Sequence, residues 1–142
     1  MWDKHFRPEV TVERMLQRAI GYLPEYMGVI PVEIAAGRLV SRLEIKKHHT
    51  APNGFLHAAS IIALADTTCG YATFAHMPAD GKNFTTIELK SNHLGTAREG
   101  AIIATATARH LGGNTHVWDA EVTRESDNKT IALFRCTQMI LK

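Results

Sequence analysis

The stretch Asn53-Gly54-Phe55-Leu56-His57-Ala58-Ala59-Ser60-Ile61-Ile62-Ala63-Leu64-Ala65-Asp66 decides the fold of this chain. It reads as a helix of small and apolar residues entered through a short loop, and a helix that is apolar all round needs cover on every side. Asp66 interrupts that pattern. An unpaired carboxylate among apolar side chains costs several kcal/mol or has its pKa driven upward, so such a residue is hydrogen-bonded or put to chemical use. The entry loop adds Gly54 and His57. Glycine permits close backbone approach, and the first N–H groups of a helix attract negative charge. Together these features point to a helix N-terminus that receives an oxyanion and a carboxylate that attacks or activates water.

The surrounding composition limits what else the chain does. A length of 142 residues fits one domain, residues 1–142, with a sizeable core. The formal net charge is +2, 21% of residues are charged, and no run of Lys and Arg marks a nucleic-acid partner. Acidic substrates stay open, since a few local cations bind a phosphate without tilting the total. Cys69 and Cys136 form neither a metal-ligand spacing nor a disulfide framework, and their apolar neighbours suit two buried free thiols. Met1 to Pro8 carries charge where a secretion signal has an apolar core, and no apolar run reaches membrane-spanning length. The expectation is a cytoplasmic protein with no membrane partner.

Along the chain, Thr11 is placed to cap a first helix reaching about Tyr22, with Val12, Met15, Leu16 and Ile20 on one side and Pro24 as its stop. Val29 to Ala35 and Leu39 to Lys46 alternate as strands around the Ala36-Gly37 turn. A polar loop, Lys47 to Asn53, leads to the long helix, which runs to about His76 before Pro78-Ala79-Asp80-Gly81 breaks it. Then the period changes to two, over Phe84 to His93, Ala101 to Leu111, Thr115 to Arg124 and Thr130 to Leu141. Gly112-Gly113-Asn114 and Asp127-Asn128-Lys129 are short hairpin turns, so the strands they join are antiparallel neighbours. The class is α+β: a strongly curved antiparallel sheet wrapped around the long helix, burying it all round.

These residues resemble the hotdog-fold acyl-CoA thioesterases, in particular the phenylacetate-pathway type and the enzyme that hydrolyses dihydroxynaphthoyl-CoA. The resemblance spans nearly the whole chain. It is carried by Gly54 to Ala59 with Asp66 nine residues after His57, by Glu88 to His93, by Ala97-Arg98-Glu99-Gly100, and by His110 to Trp118. It implies a homodimer whose sheets join edge to edge, often paired again into a homotetramer, with active sites shared between subunits. It also implies that Asp66 is the nucleophile or general base in one subunit while the backbone N–H of Ala58 in the other polarises the thioester carbonyl. His57 then orients the loop, and Thr67 helps orient the water. The helix geometry agrees: nine helical residues turn through about 900°, which leaves His57 and Asp66 on roughly opposite sides.

Two positions depart from the family pattern. His57-Ala58-Ala59 stands where the family has His-Gly-Gly, which keeps the N–H and narrows the space beside it; Ala51 stands where the family has Asn or Gln, with Asn53 close enough to substitute. Asn53, Gly54 and Phe55 therefore count as substrate-binding candidates, and Arg98 and His93 as candidates for the phosphates of CoA, against a plain reading as solvated hairpin charges. His48 and His49, adjacent in sequence, point apart and make poor joint metal ligands, so they read as loop residues. Trp118 and Phe134 read as packing, and Ser60 lacks the strained turn of a serine hydrolase. The function expected is hydrolysis of an acyl- or aroyl-CoA without metal or redox cofactor. The alternative is an acyl-CoA-binding protein that turns over weakly because of Ala51, Ala58 and Ala59.

Overall fold

The structure is a computed structural model that describes residues 1–142. Helices α1 (Val12–Ala19), α2 (Leu23–Met27) and α3 (Ala58–Ala75) accompany six strands: β1 (Val29–Ala35), β2 (Arg38–Glu44), β3 (Asn83–His93), β4 (Ala101–Leu111), β5 (Thr115–Arg124) and β6 (Thr130–Leu141). The strands form one antiparallel sheet in the order β1-β2-β4-β5-β6-β3. β3 is therefore an edge, hydrogen-bonded to the last strand and not to the one that follows it.

Helix α3 lies in the concavity of that sheet. Ile61, Leu64, Ala65, Thr68, Cys69 and Ala72 are buried, and the strand residues beneath them include Ala104, Ala106, Ala108, Ala120 and Ala132. Small side chains on both surfaces bring backbones close, which lets the sheet curl around the helix. The opposite face of α3 is not covered. Ile62, Ala63, Asp66, Thr67, Gly70 and Phe74 are only half-buried and Ala59 is exposed, so one copy of the chain wraps the helix on one side, not all round. Beside this open face β3 leaves Ile87 52% and Leu89 39% exposed, an apolar edge that a solitary sheet normally avoids.

A bulge in β3 between Thr86 and Glu88 sets which of its residues see the helix. Thr86 pairs with Gln138, and beyond the extra residue Leu89, Ser91 and His93 pair with Cys136, Phe134 and Ala132. Without the bulge the later residues would turn to the outer face, since one residue of slip reverses every side chain.

The N-terminal segment differs from its sequence expectation. Thr11 does cap α1, accepting from the Arg14 N–H at 3.2 Å, but the helix stops at Ala19 where Ile20 turns extended and Gly21 takes φ 85°. Ile20 is 63% exposed, and Met15 and Ala19 supply the packing instead. Pro24 sits in the first turn of a new helix, α2, where its missing N–H costs nothing. At the far end of α3, His76 pins the β1–β2 turn: its Nε2 accepts from the Gly37 N–H at 2.8 Å while Nδ1 donates to the Ala72 carbonyl at 2.7 Å. Gly37 holds φ 74°, and the Trp2 ring packs where a side chain would stand.

Both acceptance and donation require His76 to be neutral, and burial lowers its pKa; His116, also buried, is pushed down to about 4 by the same cause and by the neighbouring histidines His76, His5 and His110. In the unfolded chain these rings take up protons near the ordinary value of 6.5, which the folded chain resists. Stability should therefore be full above that pH and fall as pH drops through 6.5 toward 4, His116 alone contributing a loss of about 3 kcal/mol. Urea midpoints measured from pH 7.5 to 4.5 check this; in His116→Gln the slope should flatten.

Candidate active site

The loop that enters α3 is built around His49, which the sequence alone marks as an ordinary loop histidine. It is buried, its Nδ1 accepts from the Lys46 N–H at 2.8 Å, and its Nε2 donates to the Met27 carbonyl at 2.7 Å. Its own carbonyl accepts from the His57 N–H at 3.0 Å and the Ser60 hydroxyl at 2.8 Å. One ring and one peptide group thus tie the end of α2, the loop and the first turn of α3 together. Ser60 is spent in this role and is buried, in keeping with its reading as non-catalytic.

Within the loop, Asn53 Oδ1 accepts from the Phe55 N–H at 3.1 Å, closing a turn that carries Gly54 at φ 87°. No atom lies within 4 Å of where a Gly54 side chain would begin, so glycine is required here for its backbone angle and not for close approach. His57 is the N-cap of α3: its Nδ1 accepts from the Ala59 N–H at 2.9 Å. The Ala58 N–H, one residue earlier, donates to no protein acceptor and belongs to an exposed residue. It is the free donor at this helix end, where the backbone dipoles add a partial positive charge.

Phe55 and Arg98 meet beside this loop, with the guanidinium 4.8 Å from the ring centroid. Both are exposed, so the pair presents a cation on an aromatic surface beside the start of α3. His93 ends β3 opposite Ala132 and is also exposed.

Asp66 lies farther along α3. The Thr86 hydroxyl reaches its Oδ1 at 3.2 Å, and no cation pairs with it; burial raises its pKa and the Thr86 hydrogen bond opposes the rise. Thr67, beside it, is half-buried and keeps its hydroxyl off the helix carbonyls that Thr68 and Thr73 bond at 2.6 Å and 2.9 Å. Just past Asp66, a cavity of about 160 Å³ opens between Gly70, Tyr71 and Phe74 of α3, Phe84 of β3, and Tyr22 and Pro24.

The candidates thus fall into two groups. Asn53, Gly54, Phe55, His57, Ala58 and Arg98 cluster at the start of α3, while Asp66 and Thr67 stand eight and nine residues beyond Ala58, a rise of about 12 Å. One chain does not bring the free N–H and the carboxylate to a single carbonyl. Thr86, the one side chain holding Asp66, escaped sequence reading because the bulge that turns it toward the helix leaves no mark in the alternation.

The sequence signature of the thioesterase superfamily matches residues 53–131, from the turn before α3 into β6. The chain belongs to the thioesterase superfamily. Among its superfamily relatives, the 1,4-dihydroxy-2-naphthoyl-CoA hydrolase of Listeria monocytogenes is 31% identical over 84% of this chain and 96% of that one. The fold matches a thioesterase from Haemophilus influenzae with a TM-score of 0.90 at 24% identity, covering 97% of this chain and 95% of that chain. It also matches the PaaI protein of the E. coli phenylacetic acid degradation operon, TM-score 0.76 at 24% identity, over 84% and 83%. The hotdog architecture expected from the motifs is therefore present, and the chain is an enzyme of the thioesterase class.

The two adjacent histidines provide a test of how this site is built. His49→Ala should lower stability by about 2 kcal/mol, since it leaves buried peptide groups unpaired. Turnover should fall with it as the entry loop loosens. His48→Ala, at an exposed position, should change neither. Urea unfolding and thiol-release assays on both variants check this.

Proposed function

We propose that residues 1–142 act as one hotdog domain that hydrolyses an acyl- or aroyl-CoA thioester in the cytoplasm, in sites each shared by two copies of the chain. The observation that carries this reading is the separation along α3: a free helix-end N–H at Ala58 and a desolvated carboxylate at Asp66, too far apart to serve one carbonyl within a chain. A second copy docked on the uncovered face of α3 and the β3 edge supplies the missing half of each site, giving a homodimer, which can pair again into a homotetramer.

In this reading the Ala58 N–H of one copy binds the thioester oxygen, where charge develops during attack. Asp66 of the other takes a proton from water as the water oxygen bonds to the carbonyl carbon. The tetrahedral intermediate then collapses, the carbon–sulfur bond breaks, and the CoA sulfur leaves with its electron pair and takes the proton that Asp66 had accepted. Thr86 engages one carboxylate oxygen and leaves the other for the water, with Thr67 to orient it. His57 removes the competing Ala59 N–H by capping it and so fixes the loop. Arg98, stacked on Phe55, receives CoA phosphate together with His93, Asn53 stands in for the family amide missing at Ala51, and the cavity beyond Gly70 takes the acyl group. The relative from L. monocytogenes, named for an aroyl-CoA substrate, supports the same class here.

Asp66→Asn should lower kcat by about 100-fold or more with the fold intact. Ala58→Pro should do the same by a different route, because the first helical position accepts proline while its N–H is lost. Circular dichroism and thiol-release kinetics measure both. Wild-type turnover in either folded variant contradicts the role assigned to that group.

A further inference from the structure

Gln138 is a fully buried amide on the inner face of β6, in a row otherwise formed by Ala132, Phe134, Cys136 and Ile140. A polar side chain in that row costs stability unless it is hydrogen-bonded, and its partner is Thr86, whose hydroxyl oxygen lies 2.9 Å from Gln138 Oε1 and 3.2 Å from Asp66 Oδ1. A hydroxyl has one proton and cannot donate to both. The conflict resolves in two ways.

With Asp66 protonated, its O–H donates to Thr86, Thr86 donates to Gln138 Oε1, and the amide nitrogen rests on the Cys136 sulfur at 3.5 Å. With Asp66 ionised, Thr86 must donate to the carboxylate, and Gln138 then serves Thr86 best after a half-turn of its amide that presents Nε2 as donor. The same turn gives the Cys136 thiol an acceptor in Oε1. Asp66, Thr86 and the Gln138 amide each keep a partner in both states, the bond that Thr86 donates to the charged carboxylate is the stronger one, and the proton count differs only at Asp66.

We propose that Thr86 and Gln138 form a buried hydroxyl–amide relay that positions Asp66 and, through the turn of one amide, favours its ionised form when the site is ready to accept a proton. The proposal rests on the reading of Asp66 as the group that activates water. Both are positioning residues, since neither reaches the thioester. The groups that face Asp66 leave this task to the relay. On α3 the neighbours are Thr67 and Cys69, the latter a thiol that burial pushes well above its ordinary value. From β6 come Gln138 and Cys136, and on β3 the charged Glu88 and Lys90 pair with the outward Thr137 and Arg135 and so face away. His93 shares the inner face of β3 but stands at its far end. With no cation beside the carboxylate, the Thr86 proton is what opposes desolvation.

The test uses the whole protein labelled with 13C at Asp carboxyls and 15N at Gln side chains, the Asp66 signal being assigned by its loss in Asp66→Asn. Thr86→Val, isosteric without the hydroxyl, should raise the Asp66 titration midpoint by about one pH unit and move the acidic limb of kcat/KM with it. Thr86→Ser should restore both. In the wild type the Gln138 amide signal should shift with the same midpoint as Asp66, and in Asp66→Asn it should stay flat. A carboxyl midpoint unchanged in Thr86→Val, or a Gln138 signal that ignores the Asp66 titration, overturns the relay. If instead Asp66→Asn remains fully active, the catalytic reading fails, and the carboxyl and amide titrations still judge the relay on their own.

Discussion

The packing of one face of α3 against an alanine-rich sheet is the constraint from which the rest follows. Ala65 and Ala72 on the helix, with Ala104, Ala106, Ala108, Ala120 and Ala132 on the strands, allow an approach that longer side chains would prevent. Enlarging any of them would force shifts in a close-packed interior. Because the sheet has only six strands and ends at β3, it covers one side of the helix and leaves Ile62, Ala63, Asp66 and Gly70 half open. The unfinished side is the one to which we assign the chemistry.

Polar groups are distributed to suit this geometry. At the start of α3, His57 consumes the Ala59 N–H and leaves that of Ala58 as the free donor, while His49 fixes the loop from behind. Two turns on, Asp66 is desolvated enough for its proton affinity to rise, yet Thr86 holds it from the sheet. A carboxylate with a raised pKa is a better base at neutral pH than one in water, provided something keeps it ionised. In the proposed function the helix carries an electrophilic end and a basic middle, and the distance between them calls for two copies.

Much of this architecture is legible in the residues. Strands β4, β5 and β6 keep the limits that period-two alternation and the Gly112-Gly113-Asn114 and Asp127-Asn128-Lys129 turns impose, because hairpin signals are local. The position of β3 at the edge is not local: its hydrogen bonds go to β6, whose sequence lies about forty residues away, and no turn announces that pairing. Pro24 misleads for a related reason, since a proline that ends one helix also suits the first turn of the next. At the site, Asp66, His57 and Ala58 stand out because a carboxylate and a helix start are visible in one dimension. Thr86 and His49 do not, being ordinary residues made important by a bulge and a buried turn. Gln138 belongs with them, since its burial beside Thr86 depends on the pairing of β6 with the distant β3.

The central claim is that each site draws its N–H from one copy of the chain and its carboxylate from another, and subunit complementation tests it most directly. Asp66→Asn and Ala58→Pro subunits, each inactive alone, are unfolded together, refolded in equal amounts and assayed by thiol release. In a mixed dimer one site receives both lesions and the other neither, so the mixture should recover roughly a quarter of wild-type activity, half of the dimers being mixed and half of their sites intact. A mixture that forms mixed dimers, verified by mass spectrometry, and remains as inactive as its parents would contradict the shared site.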